Sequence, residues 1–307
     1  MSVIALGTMA FDAIETPFGK IDKIVGGSAT YVAYAASHLT TPIQQISIVG
    51  EDFPQEEMDE LKSRNVQLDG VEIVPGKKSF FWSGKYHMDM NTRDTLITDL
   101  NVLADFNPKV PDSYQGAEFL MLGNLMPSLQ MSVIQQLKTR PKLIVLDTMN
   151  FWMDTALEDL MKVLTMIDVL LINDTEARQL SGEFSLVKAA KKILDMGPKY
   201  LIIKKGEHGA LLFNGNHVFF APALPLEDVF DPTGAGDSFA GGFIGHLART
   251  KNISFENMKT AIIVGSAMAS FCVEKFGPQR LKEITKTDID VRLEEFVQLV
   301  NFDIDLV

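Results

Sequence analysis

Short runs of apolar residues alternate along the chain with segments in which apolar residues recur every three or four positions. The runs are continuously apolar, as in strands of a parallel sheet that is covered on both faces. The recurring segments are typical of amphipathic helices, so the alternation predicts an α/β layered fold. The predicted strands are Val3–Leu6, Ile46–Val49, Phe119–Leu122, Leu143–Leu146, Val169–Ile172, Tyr200–Ile203 and Ala210–Phe213. The predicted helices are Thr30–Leu39, Glu56–Arg64, Leu129–Leu137, Leu157–Leu164, Leu186–Met196, Asp237–Ala248 and Asn257–Val273.

Two stretches, residues 11–25 and 71–100, interrupt this rhythm because they hold strand-like pieces without a helix pattern. We expect them to form a small antiparallel sheet that projects from the main body as a lid. The second stretch contains Phe80, Phe81 and Trp82 in succession. Successive strand residues face opposite sides of a sheet. These aromatic side chains therefore need cover on both faces, either from a local loop or from a ligand on one face and a partner chain on the other.

Composition narrows the range of functions. The chain has 307 residues, of which 46% are hydrophobic, and its net charge is −12. No cluster of basic residues is longer than two, so we expect neither a nucleic-acid partner nor an anionic membrane. Cys272 is the sole cysteine, which excludes an internal disulfide. No apolar run approaches the roughly 18 residues of a membrane span, and the first residues resemble a strand rather than a secretory signal. We expect a cytoplasmic protein in which residues 1–307 form a single domain.

The run of small residues at 231–243 carries the strongest chemical signal in the sequence. Gly234 and Gly236 allow backbone N–H groups to approach an anion closely, and a helix that begins near Asp237 adds the positive end of its dipole. Three further glycines lie inside that helix, namely Gly241, Gly242 and Gly245. Each destabilises a helix by roughly 1 kcal/mol relative to alanine, so we expect a ligand or another backbone to approach them closely. The segment predicts phosphate chemistry.

Asp237 has two interpretations at this junction. It is either a carboxylate that caps the helix, or a base that deprotonates an alcohol attacking a phosphoryl group. Other phosphate motifs are absent, since the sequence contains neither G-x-x-x-x-G-K-[ST] nor G-x-G-x-x-G. A second glycine-containing junction, Gly26-Gly27-Ser28, precedes a predicted helix that Ser28 can cap. By itself this junction is equally explained as a turn.

Four segments together resemble the ribokinase-like sugar kinases, the PfkB carbohydrate kinase family. Residues 26–28 and 231–237 are similar to the two family signatures. Residues 173–176 match the family's N-x-x-E motif, and residues 204–210 look like the strand–turn–strand beside the nucleotide. All four segments occur in the family's order, and the similarity extends over roughly residues 3–277.

The resemblance implies a three-layer α/β/α sandwich with a mostly parallel central sheet and a small β-sheet lid. It also implies an enzyme that transfers the γ-phosphoryl group of ATP to a hydroxyl group. In that reaction Asp237 would be the general base, and the backbone N–H groups of Gly234, Ala235 and Gly236 would form the anion hole.

The resemblance assigns the remaining roles residue by residue. The nucleotide side would include Asn173, Lys205, Gly206, Gly209, Thr233, Gly234 and Gly236. The acceptor side would include Asp12, Gly26, Gly27, Ser28, Asn150 and Asp237. Asn173 and Glu176 would hold Mg²⁺ through water, and Asp231 and Thr233 would hold a monovalent cation such as K⁺. The alternative for Asn173 and Glu176 is a helix cap followed by an acidic residue of the first turn.

Departures from the family pattern bear on the acceptor. Tyr31 stands where many relatives have an asparagine that contacts the sugar, and Ser28 stands where kinases of phosphorylated sugars often have lysine. We therefore expect an unphosphorylated sugar as acceptor. A nucleoside is the alternative, because a ring stacked on Trp152 would suit a base. A catalytically silent regulator that binds a sugar or nucleotide is the non-enzyme alternative, and a nicotinamide oxidoreductase is the other enzyme class considered. The aromatic lid segment also predicts a homodimer joined through the lids.

Overall fold

The computed structural model describes residues 2–301 of the chain. Its strands are β1 (Val3–Leu6), β2 (Ala10–Thr16), β3 (Gly19–Gly26), β4 (Ile43–Gly50), β5 (Val66–Val74), β6 (Phe80–Tyr86), β7 (Arg93–Asp99), β8 (Phe119–Leu122), β9 (Leu143–Asp147), β10 (Val169–Asn173), β11 (Tyr200–Lys204), β12 (Ala210–Asn214) and β13 (His217–Ala221). Its helices are α1 (Ser28–Ser37), α2 (Gln55–Ser63), α3 (Pro127–Gln136), α4 (Asn150–Thr155), α5 (Leu157–Leu164), α6 (Asp174–Ser181), α7 (Leu186–Leu194), α8 (Ala235–Thr250), α9 (Phe255–Cys272), α10 (Gln279–Glu283) and α11 (Lys286–Val300).

The main sheet has the strand order β13-β12-β11-β10-β9-β8-β1-β4-β5. The seven strands from β11 through β1 to β5 in this order pair in parallel with their neighbours. Strands β12 and β13 add antiparallel pairs at one edge. The chain leaves β1 toward β4 on one side and later returns to β8 on the other. The carboxyl ends of β1 and β8 therefore flank a topological switch point, which is where open α/β sheets bind their ligands.

Helices cover both faces of this sheet, and the continuously apolar strands supply a core to each face. Val3 and Ala5 of β1 pack in the layer that contains α1, α8 and α9. Ile4 and Leu6 point the other way, into the layer with α3, α5 and α7. The structure thus confirms the layered α/β architecture. No helix within residues 2–301 is both long enough and apolar enough to cross a lipid bilayer.

The second sheet, which we call the lid, has the order β3-β2-β6-β7. Two details of its prediction are wrong. The β2–β6 pair is parallel, so the lid is not wholly antiparallel. Val71–Val74 does not belong to the lid, because β5 pairs with β4 along the edge of the main sheet. A short strand with little alternation offers no sequence pattern that distinguishes these two neighbouring sheets.

The predicted main-sheet strands are present, and several extend one residue beyond their apolar run. Asp147, Asn173 and Lys204 close β9, β10 and β11. These three polar side chains therefore lie at the same edge of the sheet, because the strands run in parallel. Four helices and one strand were missing from the prediction, namely α4, α6, α10, α11 and β13. Most of them are short or mostly polar, so their periodicity is too weak to detect.

The glycines inside α8 are explained by helix packing rather than by a ligand. A Cβ on Gly241 would lie 2.6 Å from the carbonyl oxygen of Val32 and 2.8 Å from Cβ of Ala35, both on α1. A Cβ on Gly242 would lie 2.9 Å from Cα of Gly265 on α9. The helix backbones approach more closely at these positions than any side chain allows.

We expect Gly241→Ala to lower the free energy of unfolding by about 1–3 kcal/mol, because the added methyl group meets the backbone of α1. In an uncrowded helix the same change would stabilise the protein by roughly 1 kcal/mol, so the sign of the effect is informative. Denaturant unfolding measures it. Gly116→Ala is the matched control, because a Cβ there meets nothing within 4 Å. A Gly241→Ala protein as stable as the control would contradict the packing argument.

Candidate active site

The loop that enters α8 turns sharply at Gly234, and we call residues 234–236 the anion loop after their predicted role. Gly234 precedes the helix in the left-handed region, with φ 77° and ψ 0°. A Cβ at this position would also lie 2.4 Å from the ring of Tyr31. Only glycine satisfies both requirements. The N–H of Ala235 bonds the carbonyl oxygen of Pro232 at 3.2 Å, whereas those of Gly234 and Gly236 bond no backbone carbonyl within residues 2–301. N–H groups at the start of a helix that lack a partner are available to an anion.

Asp237 lies in the first turn of α8 and is half-buried. Its carboxylate accepts no hydrogen bond from any residue within 2–301, so it does not cap the helix. Burial raises its pKa from 3.8 to about 7, the Asp147 carboxylate adds to this, and Lys204 and Arg93 act in the opposite direction. A carboxylate that has no partner and a pKa near neutrality is suited to accept a proton. Asp237 thus forms no hydrogen-bonded cap, although it remains an acidic residue of the first turn, and its role as the base stays a prediction.

Asp231 and Thr233 hold the loop that precedes the anion loop. The two carboxylate oxygens of Asp231 accept N–H bonds from Thr233, at 2.8 Å, and from Gly277, at 2.9 Å. The hydroxyl of Thr233 bonds the hydroxyl of Tyr86, which belongs to the lid, at 3.1 Å. These contacts give both residues a structural role. Their predicted role in holding K⁺ stays a prediction.

Asp12 and the glycines at 26 and 27 come together where the lid joins the main sheet. Asp12 is 5% exposed on β2. A Cβ on Gly26 would lie 1.9 Å from its carboxylate, so only glycine leaves room for Asp12. Gly27 has φ 93°, and a Cβ there would lie 2.4 Å from the carbonyl oxygen of Thr8. Burial, followed by the negative charges of Asp231 and Asp237, raises the pKa of Asp12 from 3.8 to about 8.

Ser28 does not cap α1, contrary to the prediction. The residue that precedes the helix is Gly27, and Ser28 is its first residue. The Ser28 hydroxyl instead accepts the N–H of Thr8 at 3.1 Å, and Thr8 returns the interaction by accepting the N–H of Ser28 at 3.0 Å. This reciprocal pair ties α1 to the end of β1 at the switch point. Gly123, which follows β8, also lies against Ser28.

Asn173 and Glu176 form a capping box at the start of α6. The side chain of Asn173 accepts the N–H of Glu176 at 2.8 Å, and the side chain of Glu176 accepts the N–H of Asn173 at 2.7 Å. The alternative of a helix cap is thus present in the structure. One oxygen of Glu176 is outside the box, and burial raises the pKa of this carboxyl to about 7, with Lys204 opposing the shift. Hard oxygen atoms of this kind fit Mg²⁺ held through water. No three His, Cys, Asp or Glu side chains of residues 2–301 form a direct metal site.

The segment 204–209 begins beside Asn173, because Lys204 and Asn173 are in register on adjacent strands. The backbone N–H of Lys205 bonds the carbonyl oxygen of Gly209 and closes a tight turn at 2.8 Å. Gly206 and Gly209 both have positive φ, and a Cβ on Gly209 would lie 2.1 Å from the carbonyl oxygen of Ala221. Both glycines are therefore required by the turn itself. Lys204, which the sequence analysis did not select, makes a largely buried ion pair with Asp147.

The lid contributes three residues that the sequence analysis also missed. Tyr86 reaches Thr233, and Asn91 donates a hydrogen bond to Glu207 in the turn at residues 205–209. Arg93 lies at the base of β7, where its charge lowers the pKa of both Asp237 and Glu176. The lid thus contacts both the loop that precedes residue 234 and the turn at residues 205–209. A polar residue in a lid hairpin has no sequence signal that distinguishes it from an ordinary surface residue.

Asn150 and Trp152 lie on the short helix α4, and the structure does not bring them to the anion loop through any contact. Asn150 is exposed. The indole N–H of Trp152 donates to the side-chain oxygen of Asn124 at 2.8 Å, and its ring meets the edge of Phe151. Trp152 is therefore held by its neighbours, and its predicted stacking with an acceptor base stays a prediction.

Comparisons with known proteins agree with this geometry. The family model of pfkB carbohydrate kinases matches residues 2–285. A cytidine kinase of Thermococcus kodakarensis is 27% identical over 259 residues, which cover 81% of this chain and 89% of that protein. The structure of Burkholderia thailandensis nucleoside kinase in complex with inosine has a TM-score of 0.76, is 21% identical, and the match covers 95% of this chain and 96% of that one.

A third similar structure, from Escherichia coli, is described as a ribokinase II in complex with ATP and Mg²⁺. It has a TM-score of 0.78, is 20% identical, and the match covers 95% of this chain and 99% of that one. Together with the family match over residues 2–285, these likenesses support an ATP-dependent sugar or nucleoside kinase. The chain therefore belongs to the pfkB family of carbohydrate kinases, has the ribokinase-like fold, and is a phosphotransferase that uses a hydroxyl group as acceptor.

Proposed function

We propose that the chain is an ATP-dependent nucleoside kinase in which Asp237 is the general base. The observation that carries the catalytic part is the Asp237 carboxylate, which is half-buried, has no hydrogen-bond partner within residues 2–301 and lies one residue beyond the anion loop. This carboxylate forms no hydrogen-bonded cap for the helix. It is placed to orient an acceptor hydroxyl toward a phosphoryl group that the loop holds.

In the proposed reaction the acceptor oxygen forms a bond to the γ-phosphorus of ATP, and its proton passes to Asp237. The bond between that phosphorus and the β–γ bridging oxygen breaks, and its electron pair leaves with ADP. The N–H groups of Gly234, Ala235 and Gly236 stabilise the charge on the transferring group. Bound Mg²⁺ would neutralise phosphate charge, and Glu176 and Asn173 would hold its water ligands. Lys205 and Gly206 would lie along the nucleotide.

One feature of the lid and the identity of the relatives support a nucleoside ahead of the free sugar that we expect from the sequence. Trp82 is in register with Asp12 on adjacent strands, so both side chains project from the same face of the lid. This face is the inner one, since Tyr86, which alternates with Trp82, reaches Thr233. A carboxylate that binds a ribose diol thus lies next to an aromatic ring that can stack on a base. The cytidine and nucleoside kinase relatives also support this choice.

A coupled ADP-release assay tests the proposal with Mg²⁺ and K⁺ present. We expect turnover with at least one of cytidine, uridine, adenosine, guanosine and inosine, and kcat/KM for ribose and fructose at least about tenfold lower. Turnover with sugars alone would overturn the nucleoside assignment. A comparison of K⁺ with tetramethylammonium shows whether Asp231 and Thr233 serve a monovalent cation.

We expect Asp237→Asn to lower kcat by roughly 10²–10⁴-fold, because asparagine keeps the shape but cannot accept the proton. ATP binding should persist, since the anion loop donates backbone groups. Kinetics and nucleotide titration measure the two effects separately. A variant with near wild-type kcat would mean that Asp237 is not the base.

The raised pKa of Asp12 predicts how stability depends on pH. Its pKa in the folded protein is about 8, compared with 3.8 ordinarily, so the folded state binds more protons between these values. The free energy of unfolding therefore falls as pH rises from about 4 to about 8. Asp12→Asn removes this contribution. We expect it to stabilise the protein by roughly 1–3 kcal/mol at pH 8 and by much less at pH 5, while acceptor affinity is lost.

Thermal unfolding of both proteins at the two pH values checks this expectation. The difference between variant and wild type isolates Asp12 from the other carboxylates. A difference in melting temperature that does not change with pH would contradict the assignment.

The outer face of the lid supports a homodimer. A groove of about 270 Å³ on this face is lined by apolar residues, including Ala13, Phe81, Leu96 and Ile97, together with the charged Glu15, Lys20 and Asp22. Leu96 is 56% exposed and Ile97 is 46% exposed. The edge strands β3 and β7 of the lid are also open to pairing. A second copy of the lid would cover this face, and the inner face would remain for the acceptor.

Light scattering at micromolar concentration should give twice the 34.0 kDa mass of one chain. Ile97→Lys should shift the protein to the monomer, because a charge would be buried in the interface. Val187→Lys is the matched control, since Val187 is 52% exposed on α7, outside the lid. A wild-type monomer, or an Ile97→Lys protein that still dimerises, would exclude dimerisation through the lid.

A further inference from the structure

A largely buried ion pair lies at the carboxyl edge of the main sheet, near the turn at residues 205–209 and the anion loop. Lys204 closes β11 and Asp147 closes β9, on either side of β10. The Nζ atom of Lys204 lies 3.0 Å from one carboxylate oxygen of Asp147 and 3.2 Å from the other. The side chains are 19% and 8% exposed. Contact with both oxygens holds the ammonium group in one position.

This ammonium group lies directly against the anion loop. A Cβ on Gly236 would come within 3.1 Å of Nζ and 3.9 Å of Cε of Lys204, which are its nearest neighbours outside the adjacent residues and the backbone of α8. The backbone conformation does not require glycine here, since the positive φ of this loop is at Gly234. The space that a side chain at position 236 would take is thus the space beside the Lys204 ammonium.

The charges around Lys204 go beyond those of a simple pair. Burial acts to lower its pKa, but the carboxylates of Asp147, Glu176 and Asp237 outweigh burial and raise the pKa above its ordinary value. The ammonium therefore stays charged at neutral pH. Three carboxylates in one site would repel a triphosphate, and a fixed cation beside the loop offsets that repulsion.

We propose that Lys204 is a further catalytic residue, whose ammonium group contacts the phosphoryl group while it is transferred at the anion loop, and that Asp147 is the residue that positions it. The proposal rests on the kinase function proposed above. Lys204 remains protonated throughout and exchanges no proton, since the acceptor proton passes to Asp237 and the electron pair of the broken bond leaves with ADP. Its contribution is positive charge next to the transferring group, where negative charge is concentrated.

The alternative is that the pair serves only the fold. Desolvation of two buried charges offsets most of their attraction, so a buried ion pair adds little stability, whereas removal of one partner leaves the other charge unpaired. Lys204→Met alone therefore confounds a lost catalytic charge with a buried carboxylate that has no partner. The double variant Asp147→Asn/Lys204→Met removes both charges and keeps the fold free of an unpaired ion. It separates the two explanations.

The experiment compares wild type, Asp147→Asn, Lys204→Met and the double variant. The readouts are kcat and KM with ATP and the best acceptor, together with melting temperature. We expect Lys204→Met to lower kcat by about 10²–10³-fold with a smaller change in KM, as for the loss of one charged group at a developing anion. Asp147→Asn should lower kcat by about tenfold. The double variant should be as slow as Lys204→Met, because Asp147 acts through Lys204.

Lys282→Met is the matched control, because Lys282 forms a partly buried ion pair with Glu57 between α10 and α2 at 2.6 Å. It should change the melting temperature without changing kcat. A folded double variant with kcat within about threefold of wild type would overturn the proposal, and so would a further loss when Asp147→Asn is added to Lys204→Met. Failure of the wild-type protein to turn over any acceptor would instead reject the kinase function itself.

Discussion

The close approach of α8 to α1 is the constraint on which the candidate site depends. Gly241 and Gly245 of α8 meet the backbone of α1, and Tyr31 of α1 lies against Gly234 at the start of α8. The helix that carries the anion loop and Asp237 is therefore fixed relative to the segment that follows Gly27. Since the backbones themselves are in contact, the loop cannot shift without separating two helices of the core. This rigidity keeps backbone donors and a carboxylate in place before any ligand binds.

The electrostatics of the site follow from burial at the edge of the sheet. Asp12, Asp237 and Glu176 all have pKa values raised by burial in the first place, and each has another charged side chain in its vicinity. Carboxylates that are desolvated in this way lower the stability of the fold at neutral pH, and such groups are common at functional sites. Lys204 is placed to moderate both Asp237 and Glu176, which explains why both have values near neutrality rather than far above it.

The lid contacts two loops of the main body. Asp12 and Trp82 are in register on its inner face, while Tyr86 bonds Thr233 and Asn91 bonds Glu207. Its outer face exposes Leu96 and Ile97. The proposed acceptor surface and this apolar surface lie on opposite sides of one small sheet, as one of the two explanations of the successive aromatic residues in β6 expects.

The sequence by itself determined the layered fold, the family and the glycine loop at the start of α8. Continuous apolar runs are typical of a sheet that is covered on both faces, and the order of small residues before Asp237 is local information. The tertiary structure alone decided which polar residues meet. Asp147 and Lys204 are 57 positions apart and come together because β9 and β11 flank β10 in parallel. Strand order likewise decides three other features: the separation of Val71–Val74 from the lid, the contact of Tyr86 with Thr233 and the partner of Ser28. Pairing between distant segments leaves no periodic trace along the chain.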